Sequence, residues 1–222
     1  MTGVASDPAR GTERVRLTLA SASPARREVL RRAGIDPEVV VSDVDEEAVV
    51  AAAGDGLTPA DAALLLGRAK CEAVAADPGR EGTLVLGCDS VFEMAGAAYG
   101  KPGSPAVAAE RWQRMSGSSG VLHTGHWLID RRSHAAEGRG CVVSTELEFA
   151  EVTDAEIQAY VATGEPLGCA GGFTIDGIGG AFVRRIAGDH LNVIGLSLPA
   201  LRTLLADIAI PWPSLWTIPE MR

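Results

Sequence analysis

RLTLASASPARREVLRRAG, residues 16–34, joins a strand signal to a helix signal with almost nothing between them. RLTLAS (16–21) is strand-like, and Ser23-Pro24 reads as a helix start, with Ser23 as N-cap and Pro24 at the first helical position. Gly34 is the matching stop. Arg26 and Arg27 then fall in the first helical turn, where the dipole disfavours cations and backbone N–H groups lack partners. An anion bound at the helix start accounts for that placement. So do exposed arginines that tolerate a penalty of roughly a few tenths of a kcal/mol.

Strand and helix signals alternate outward from this stretch. PEVVVSDVDEE reads as a second strand running into Asp43, Asp45, Glu46 and Glu47. Residues 59–76 read as a helix begun by Thr58-Pro59, with Leu65, Ala69 and Ala73 along one face. TLVLGCDSVFEM (83–94) has the apolar run of a buried strand and carries Asp89 within it. GAAYGKPGSP is a loop, AVAAERWQRMSG a helix, and VLHTGHWLID and GCVVSTELEFAEV two long strands, expected as antiparallel neighbours. TDAEIQAYVATG (153–164) has a capping box, Thr153 with Glu156, and a Gly164 stop. A glycine-rich irregular stretch follows, then the amphipathic LPALRTLLADI and a proline-interrupted tail. The expected organisation is a flexible extension over 1–14, a single domain over 15–210 and a Pro/Trp-containing tail over 211–222. Its class is α/β: a mixed sheet with flanking helices, in two lobes around a cleft.

At 222 residues, 46% apolar and 22% charged, the chain has a globular composition and enough length for a sizeable core. A net charge of −9 argues against a nucleic-acid partner, because no broad basic face is available to neutralise phosphates. It leaves room for a small phosphorylated ligand, which needs only a few local cations. Cys71, Cys88, Cys141 and Cys169 form no C-x-x-C pair, so neither a zinc site nor a disulfide framework is expected. Residues 1–14 lack the apolar region of a secretory signal, and no run reaches the ~18 apolar residues of a membrane span. The expectation is a soluble cytoplasmic protein with reduced thiols and no membrane partner.

The residues with chemistry sort into cations at loops and helix starts (Arg26, Arg27, Lys70, Lys101) and carboxylates at strand ends (the 43–47 cluster and Asp89). Together they compose a polyphosphate site. Cations and helix-terminal N–H groups hold phosphate oxygens, carboxylates hold a hard divalent cation, and a spare carboxylate deprotonates water. Each piece also has a plainer reading: a solvated charge run at a helix start, where carboxylates suit the dipole, for 45–47, and a turn residue for Lys101. Asp89 stands out, because an acid inside an apolar strand is costly unless paired or functional. GIGGAF (177–182) lacks the strand–helix context of a dinucleotide fingerprint. GLSLP lacks the last glycine of a nucleophile elbow. His123 and His126, three apart in a strand, fall on opposite faces and do not share a metal.

The ordered set LASASPARREVL, DVDE, RAK, CDS, GKP, AxxRWxxMSG, HTG, YVATGEP, AGGFTIDG and NVIGLSL resembles the Maf family, from about Leu17 to Leu205. These are nucleoside triphosphate pyrophosphatases, once described as septum-formation inhibitors. The resemblance implies an inosine-triphosphatase-like fold and cleavage between the α and β phosphates, giving a nucleoside monophosphate and pyrophosphate. It also implies a divalent metal, Mg or Mn, and house-cleaning of non-canonical or excess nucleotides. It admits a homodimer, with the Trp212/Trp216 tail as one candidate interface. Carried over by position, Asp89 takes the catalytic aspartate role, as general base or metal-linked carboxylate. Glu46 helps hold metal, Lys70 and Lys101 contact phosphate, and Ser21, Ser23 and Arg26 match the phosphate-binding start. A non-catalytic, nucleotide-binding regulator of division is the rival reading.

The chain departs from the family at the base end. The branch associated with dTTP and UTP has arginine, threonine and glutamine where this chain has Ala25, Ser90 and Asp176. The branch associated with 7-methyl-GTP has tryptophan after the proline, and many members have lysine at the position of Cys169. Ala25, Ser90 and Asp176 are therefore expected to bind substrate; the small Ala25 and the acidic Asp176 alter contacts with the base, and the preferred base is open. A carboxylate at 176 suits a base that presents an amino or imino N–H.

Overall fold

The opening stretch folds as β1 (Arg16–Ala20) passing directly into α1 (Pro24–Arg32). The computed structural model describes residues 14–54, 56–132 and 137–217. Of the expected N-terminal extension only Arg14 falls within this range, and residues 218–222 of the tail lie outside it.

The chain continues through β2 (Glu38–Val39), α2 (Glu46–Ala53) and α3 (Pro59–Ala75) to β3 (Thr83–Met94), β4 (Ala97–Tyr99) and α4 (Pro105–Met115). The long strands β5 (Ser119–Asp130) and β6 (Gly138–Phe149) precede α5 (Asp154–Ala162), β7 (Val183–Ala187), α6 (His190–Ile194) and α7 (Leu198–Ala206). Among the described residues the strands form one mixed sheet in the order β2-β1-β3-β5-β6-β7, with β4 also on β3. The first strands pair in parallel and the later ones antiparallel, as the two long strand signals indicated.

β3 is the strand that makes the cleft. One edge pairs with β5 over residues 84–93. The other edge pairs with β1 over 83–87 and with β4 over 92–94. Residues 88–91 are left without a strand partner on that edge, so the side chains of Asp89 and Ser90, which point to opposite faces, border one notch. The notch lies beyond the carboxyl end of β1. There the connection from β1 runs one way to β2, and that from β3 runs the other way to β5. Such a switch point is the usual ligand crevice of an open α/β sheet.

Two apolar cores share one face of the sheet. Leu17, Leu19, Leu84 and Leu86 pack against Leu30 of α1 and Leu201 and Leu205 of α7. Phe92, Leu122, Leu147 and Phe149 pack against Trp112 of α4 and Tyr160 of α5. Between them runs a buried polar seam of Ser90, Thr124, Thr145 and Asn192, which separates the two lobes. Trp112 is 1% exposed, yet its indole N–H is satisfied by Gly172 O at 2.8 Å. The second core is thereby pinned to the glycine-rich stretch beside the cleft.

α3 covers the opposite face, and its buried side is not the expected Leu65/Ala69/Ala73 stripe. It runs through Ala63, Gly67, Cys71 and Val74, because backbone proximity and not side-chain bulk decides the orientation. A Cβ on Gly87 would collide with Gly67 O, and one on Gly125 with Ala63 O. Bare glycines on the sheet let the helix lie almost on its backbone.

Several further elements differ from the sequence reading. The second strand is only Glu38–Val39, and Glu46 opens α2, with Asp45 as N-cap accepting from Ala48 N at 3.0 Å. Carboxylates in a first turn suit the dipole, so the acidic run starts a helix, as its plainer reading had it, and does not end a strand. Residues 97–99 of the expected loop pair with β3. Val183–Ala187 is a strand and His190–Ile194 a short helix, both unforeseen. The tail forms a 3-10 turn at Trp212–Leu215, with Leu215 buried in the first core. Among the described residues no helix is long and apolar enough to cross a membrane.

Candidate active site

Lys70 Nζ lies 2.5 Å from Asp89 Oδ1 and 2.7 Å from Glu46 Oε1. The side chains of Lys70 and Asp89 are both only 12% exposed. Their meeting follows from the glycine contacts: Gly87 and Asp89 share a face of β3, and α3 seats on Gly87, which brings Lys70 over Asp89. Glu46 arrives from the first turn of α2.

On the other side of the notch lies Arg26, 8% exposed. Ser23 caps the helix and accepts from Arg26 N at 3.4 Å, while no acidic residue occupies the first turn. The Arg26 guanidinium donates from Nε to Gly195 O at 2.7 Å, from Nη1 to Ser21 Oγ at 3.0 Å and from Nη2 to Ser90 Oγ at 3.0 Å. All three acceptors are uncharged, and among the described residues Arg26 makes no ion pair. A buried cation without a counterion costs several kcal/mol unless something supplies the charge. Of its five N–H donors, three are used. Gly195 is fixed by two demands at once: its φ is +112°, and a Cβ there would stand 3.0 Å from Arg26 Nε.

These groups line one cleft of about 410 Å³, large enough for a small-molecule ligand. All ten residues expected at the site border it: Ser21, Ser23, Ala25, Arg26, Glu46, Lys70, Asp89, Ser90, Lys101 and Asp176. Arg27 is exposed and does not line it. Lys70, Glu46 and Asp89 meet on one part of the wall. Phe173, Ile175, Val193 and Ile194 supply an apolar part next to Ala25 and Asp176. Ala25, Asp176 and Ile194 also border a side pocket of about 150 Å³ with Val29, Leu191 and Leu198. Cys169 stands in the cleft wall too, and burial raises its thiol above its ordinary pKa.

Several residues that hold the site escape a reading of the sequence. Glu165 accepts from Tyr160 OH, Thr174 Oγ1, Ile178 N and Gly179 N at 2.6–2.9 Å, clamping the loop that carries Asp176. Burial alone would raise this carboxyl, but the bonds from Thr174, Gly179, Ile178 and Tyr160 outweigh it and bring the pKa down to about 2. The only trace in the sequence is an acid placed just after a helix-stop glycine. Thr124 and Asn192 support Ser90 from the seam. His126 accepts from Ser197 N at 2.8 Å, and His123 bonds Glu93 and Ser144 on the other face, as their spacing required. Ser197 is the N-cap of α7 and not a nucleophile, and Ile178–Phe182 is a 3-10 turn and not a dinucleotide loop.

Among the described residues no group of three or more His, Cys, Asp or Glu side chains gathers to hold a metal. Glu46 and Asp89 still fit a smaller role. Each uses one carboxylate oxygen toward Lys70, and Mg²⁺ needs only one or two carboxylates where phosphates and waters complete its shell.

Related proteins match this chain along nearly their whole length. A relative from Salinispora tropica is 52% identical over 214 residues, covering 93% of this chain and 90% of its own. One from Streptomyces coelicolor is 52% identical over 209 residues, with coverage of 93% and 97%. One from Thermosynechococcus vestitus is 53% identical over 196 residues, with coverage of 87% and 94%. All three bear the name nucleoside triphosphate pyrophosphatase. A HAM1 protein from Coxiella burnetii superposes with a TM-score of 0.45 at 16% identity, over 87% of this chain and 99% of that one. The profile described as Maf-like protein matches residues 16–208, from the first residue of β1 to just past α7, and on that match and those identities the chain belongs to the Maf family.

Proposed function

We propose that this chain is a nucleoside triphosphate pyrophosphatase that cleaves between the α and β phosphates. The observation that carries the reading is the buried Arg26, without an ion pair among the described residues, facing the same cleft as Lys70, Glu46 and Asp89. Its missing anion is the triphosphate, which also meets Lys101 at the rim. The names of the relatives support the same reaction.

In this reading the two unused N–H groups of Arg26, with Lys70 and Lys101, neutralise the phosphate chain. Asp89 takes the proton of a water whose oxygen bonds to the α phosphorus, and the α–β bridging P–O bond breaks. The products are a nucleoside monophosphate and pyrophosphate. Lys70 holds one oxygen of Asp89, so the carboxylate is aimed and its other oxygen is free to accept that proton. Glu46 and Asp89 are the residues that would hold Mg²⁺ or Mn²⁺. Such an ion, when bound, withdraws charge from the phosphate oxygens and makes the phosphorus more electrophilic. Ser21 and Ser23 serve the phosphate end through Arg26 and the helix start. The base lies at the apolar end, beside Ala25 and Asp176, with Ser90 between the two ends.

The test is product analysis: incubation with a panel of nucleoside triphosphates and Mg²⁺ or Mn²⁺, measuring pyrophosphate and orthophosphate separately. Pyrophosphate with a monophosphate is the expected result. Release of orthophosphate, or nucleotide binding with no turnover, would overturn the assignment in favour of another phosphohydrolase or of the non-catalytic regulator.

A further inference from the structure

A chain of hydrogen bonds runs from Arg26 into the seam between the two cores, and elementary chemistry fixes its direction. Thr124 is fully buried, and its hydroxyl donates to the main-chain oxygen of Asn192 at 3.0 Å. A carbonyl only accepts, and a hydroxyl has a single hydrogen. The 3.0 Å contact between Thr124 Oγ1 and Ser90 Oγ therefore has Ser90 as donor. Ser90 Oγ is left with lone pairs for Arg26 Nη2 at 3.0 Å. The order is Arg26 to Ser90 to Thr124 to Asn192 O, each donor polarising the next.

Both ends of this chain meet around α6. Asn192 O terminates it, and Gly195 O, at the C-cap of the same short helix, accepts Arg26 Nε. The helix is itself tied to the sheet. Asn192 Nδ2 lies within 3.2 Å of Leu122 O, Val143 O and Thr145 Oγ1 on β5 and β6. The usual way to fix a guanidinium, a carboxylate, would cancel its charge. Neutral acceptors fix it equally well and leave the charge for a ligand.

We propose that Thr124 is a positioning residue for the triphosphate: by orienting the Ser90 hydroxyl it sets the guanidinium of Arg26, without itself touching substrate. The proposal rests on the reading of Arg26 as a phosphate ligand. It separates Thr124 from a residue that merely fills the seam, because the hydroxyl and not the methyl group is what matters.

The experiment compares Thr124→Val, which keeps the shape and loses the hydroxyl, with Thr124→Ser, which keeps the hydroxyl. Affinity for inorganic tripolyphosphate is measured by calorimetry, beside KM and kcat for a hydrolysed nucleotide and thermal melting. Thr124→Val should weaken tripolyphosphate binding by about tenfold and raise KM by a similar factor, with kcat changed much less. Thr124→Ser should recover affinity to within about twofold. In an Arg26→Gln background, Thr124→Val should add nothing, since the two act as one unit. Wild-type affinity in Thr124→Val, equal loss in Thr124→Ser, or additivity with Arg26→Gln would each overturn the proposal. A wild-type protein that binds tripolyphosphate but releases no pyrophosphate refutes the pyrophosphatase reading and leaves this one standing. One that binds no tripolyphosphate overturns this proposal, whereas the pyrophosphatase reading stands or falls on the product assay.

Discussion

Asp89 stands directly opposite Gly125 in the β3–β5 ladder, and the space a side chain would take at Gly125 is filled by the backbone of α3 at Ala63. The carboxylate and the empty position face the same helix. A bare glycine beside the acid is what lets α3 come close enough for Lys70 to reach it.

Gly125→Ala tests that link. The new Cβ would meet main-chain atoms of Ala63 and Leu64, which cannot rotate away. Overpacking of this kind costs about 1–3 kcal/mol. Urea unfolding should show that loss. Turnover should fall by more than the small change in folded fraction explains, because Lys70 moves with the helix. Wild-type kcat in a destabilised variant would uncouple the helix seat from the site.

Asp89→Asn keeps size and hydrogen bonding to Lys70 but removes the basic oxygen. Turnover should drop by about 10²–10⁴-fold, the usual contribution of a general base. Nucleotide binding should persist, since Arg26 and Lys101 are untouched. Single-turnover assays beside binding titrations check it, and near-wild-type turnover would remove Asp89 from that role.

The first strand–helix pair, the buried strand with its costly acid and the gathering of cations were legible because each rests on local chemistry: a cap, a proline, a charge where none belongs. Arg26, Lys70, Lys101, Glu46 and Asp89, singled out on such chemistry, line one cleft with Ser21, Ser23, Ala25, Ser90 and Asp176, which only the family resemblance supplied. What was not legible depends on contacts far apart in sequence. The buried face of α3 is set by Gly87 and Gly125, from other elements, so helical periodicity alone pointed to the wrong stripe. Thr124 stands in the sequence within the HTG motif with no role attached; its role exists only once Ser90 and Asn192 stand on either side of it. Glu165 is similar: four donors from a glycine-rich stretch converge on it only after that stretch has folded back.

His126 predicts an acid-sensitive stability. Burial, reinforced by the nearby charge of Arg26, lowers its pKa from 6.5 to about 4, and its Nε2 must be unprotonated to accept from Ser197 N. The unfolded chain takes up this proton below pH ~6.5 and the folded chain only near 4, so the contribution is fully present above the unfolded value. It is lost as pH falls from ~6.5 to ~4, a change on the order of 3 kcal/mol for a shift of this size. Urea titrations at pH 7, 6, 5 and 4 should show the decline, and a His126→Gln variant should show a flatter one. Equal slopes in the two proteins would assign the decline to other groups.

The proposed reading puts Asp176 at the base end of the cleft. It is exposed at the rim of the cleft wall, on the loop clamped by Glu165, and borders both the cleft and the side pocket beyond Ala25. Glu165 is kept ionised by its four donors, so this loop holds its shape across the neutral range. A carboxylate accepts and cannot donate, which favours bases that present an amino or imino N–H over those that present a carbonyl there. Asp176→Gln can do both, so the preference among nucleoside triphosphates should narrow, with kcat/KM for amino-bearing bases falling by about tenfold relative to the others. Ala25→Arg, which places a long cation at the mouth of the side pocket, should shift preference further toward carbonyl-bearing bases. A competition assay with mixed nucleotides reads both changes at once. An unaltered ranking in Asp176→Gln would place the base away from residue 176 and leave Ala25 and Ser90 as the next positions to test.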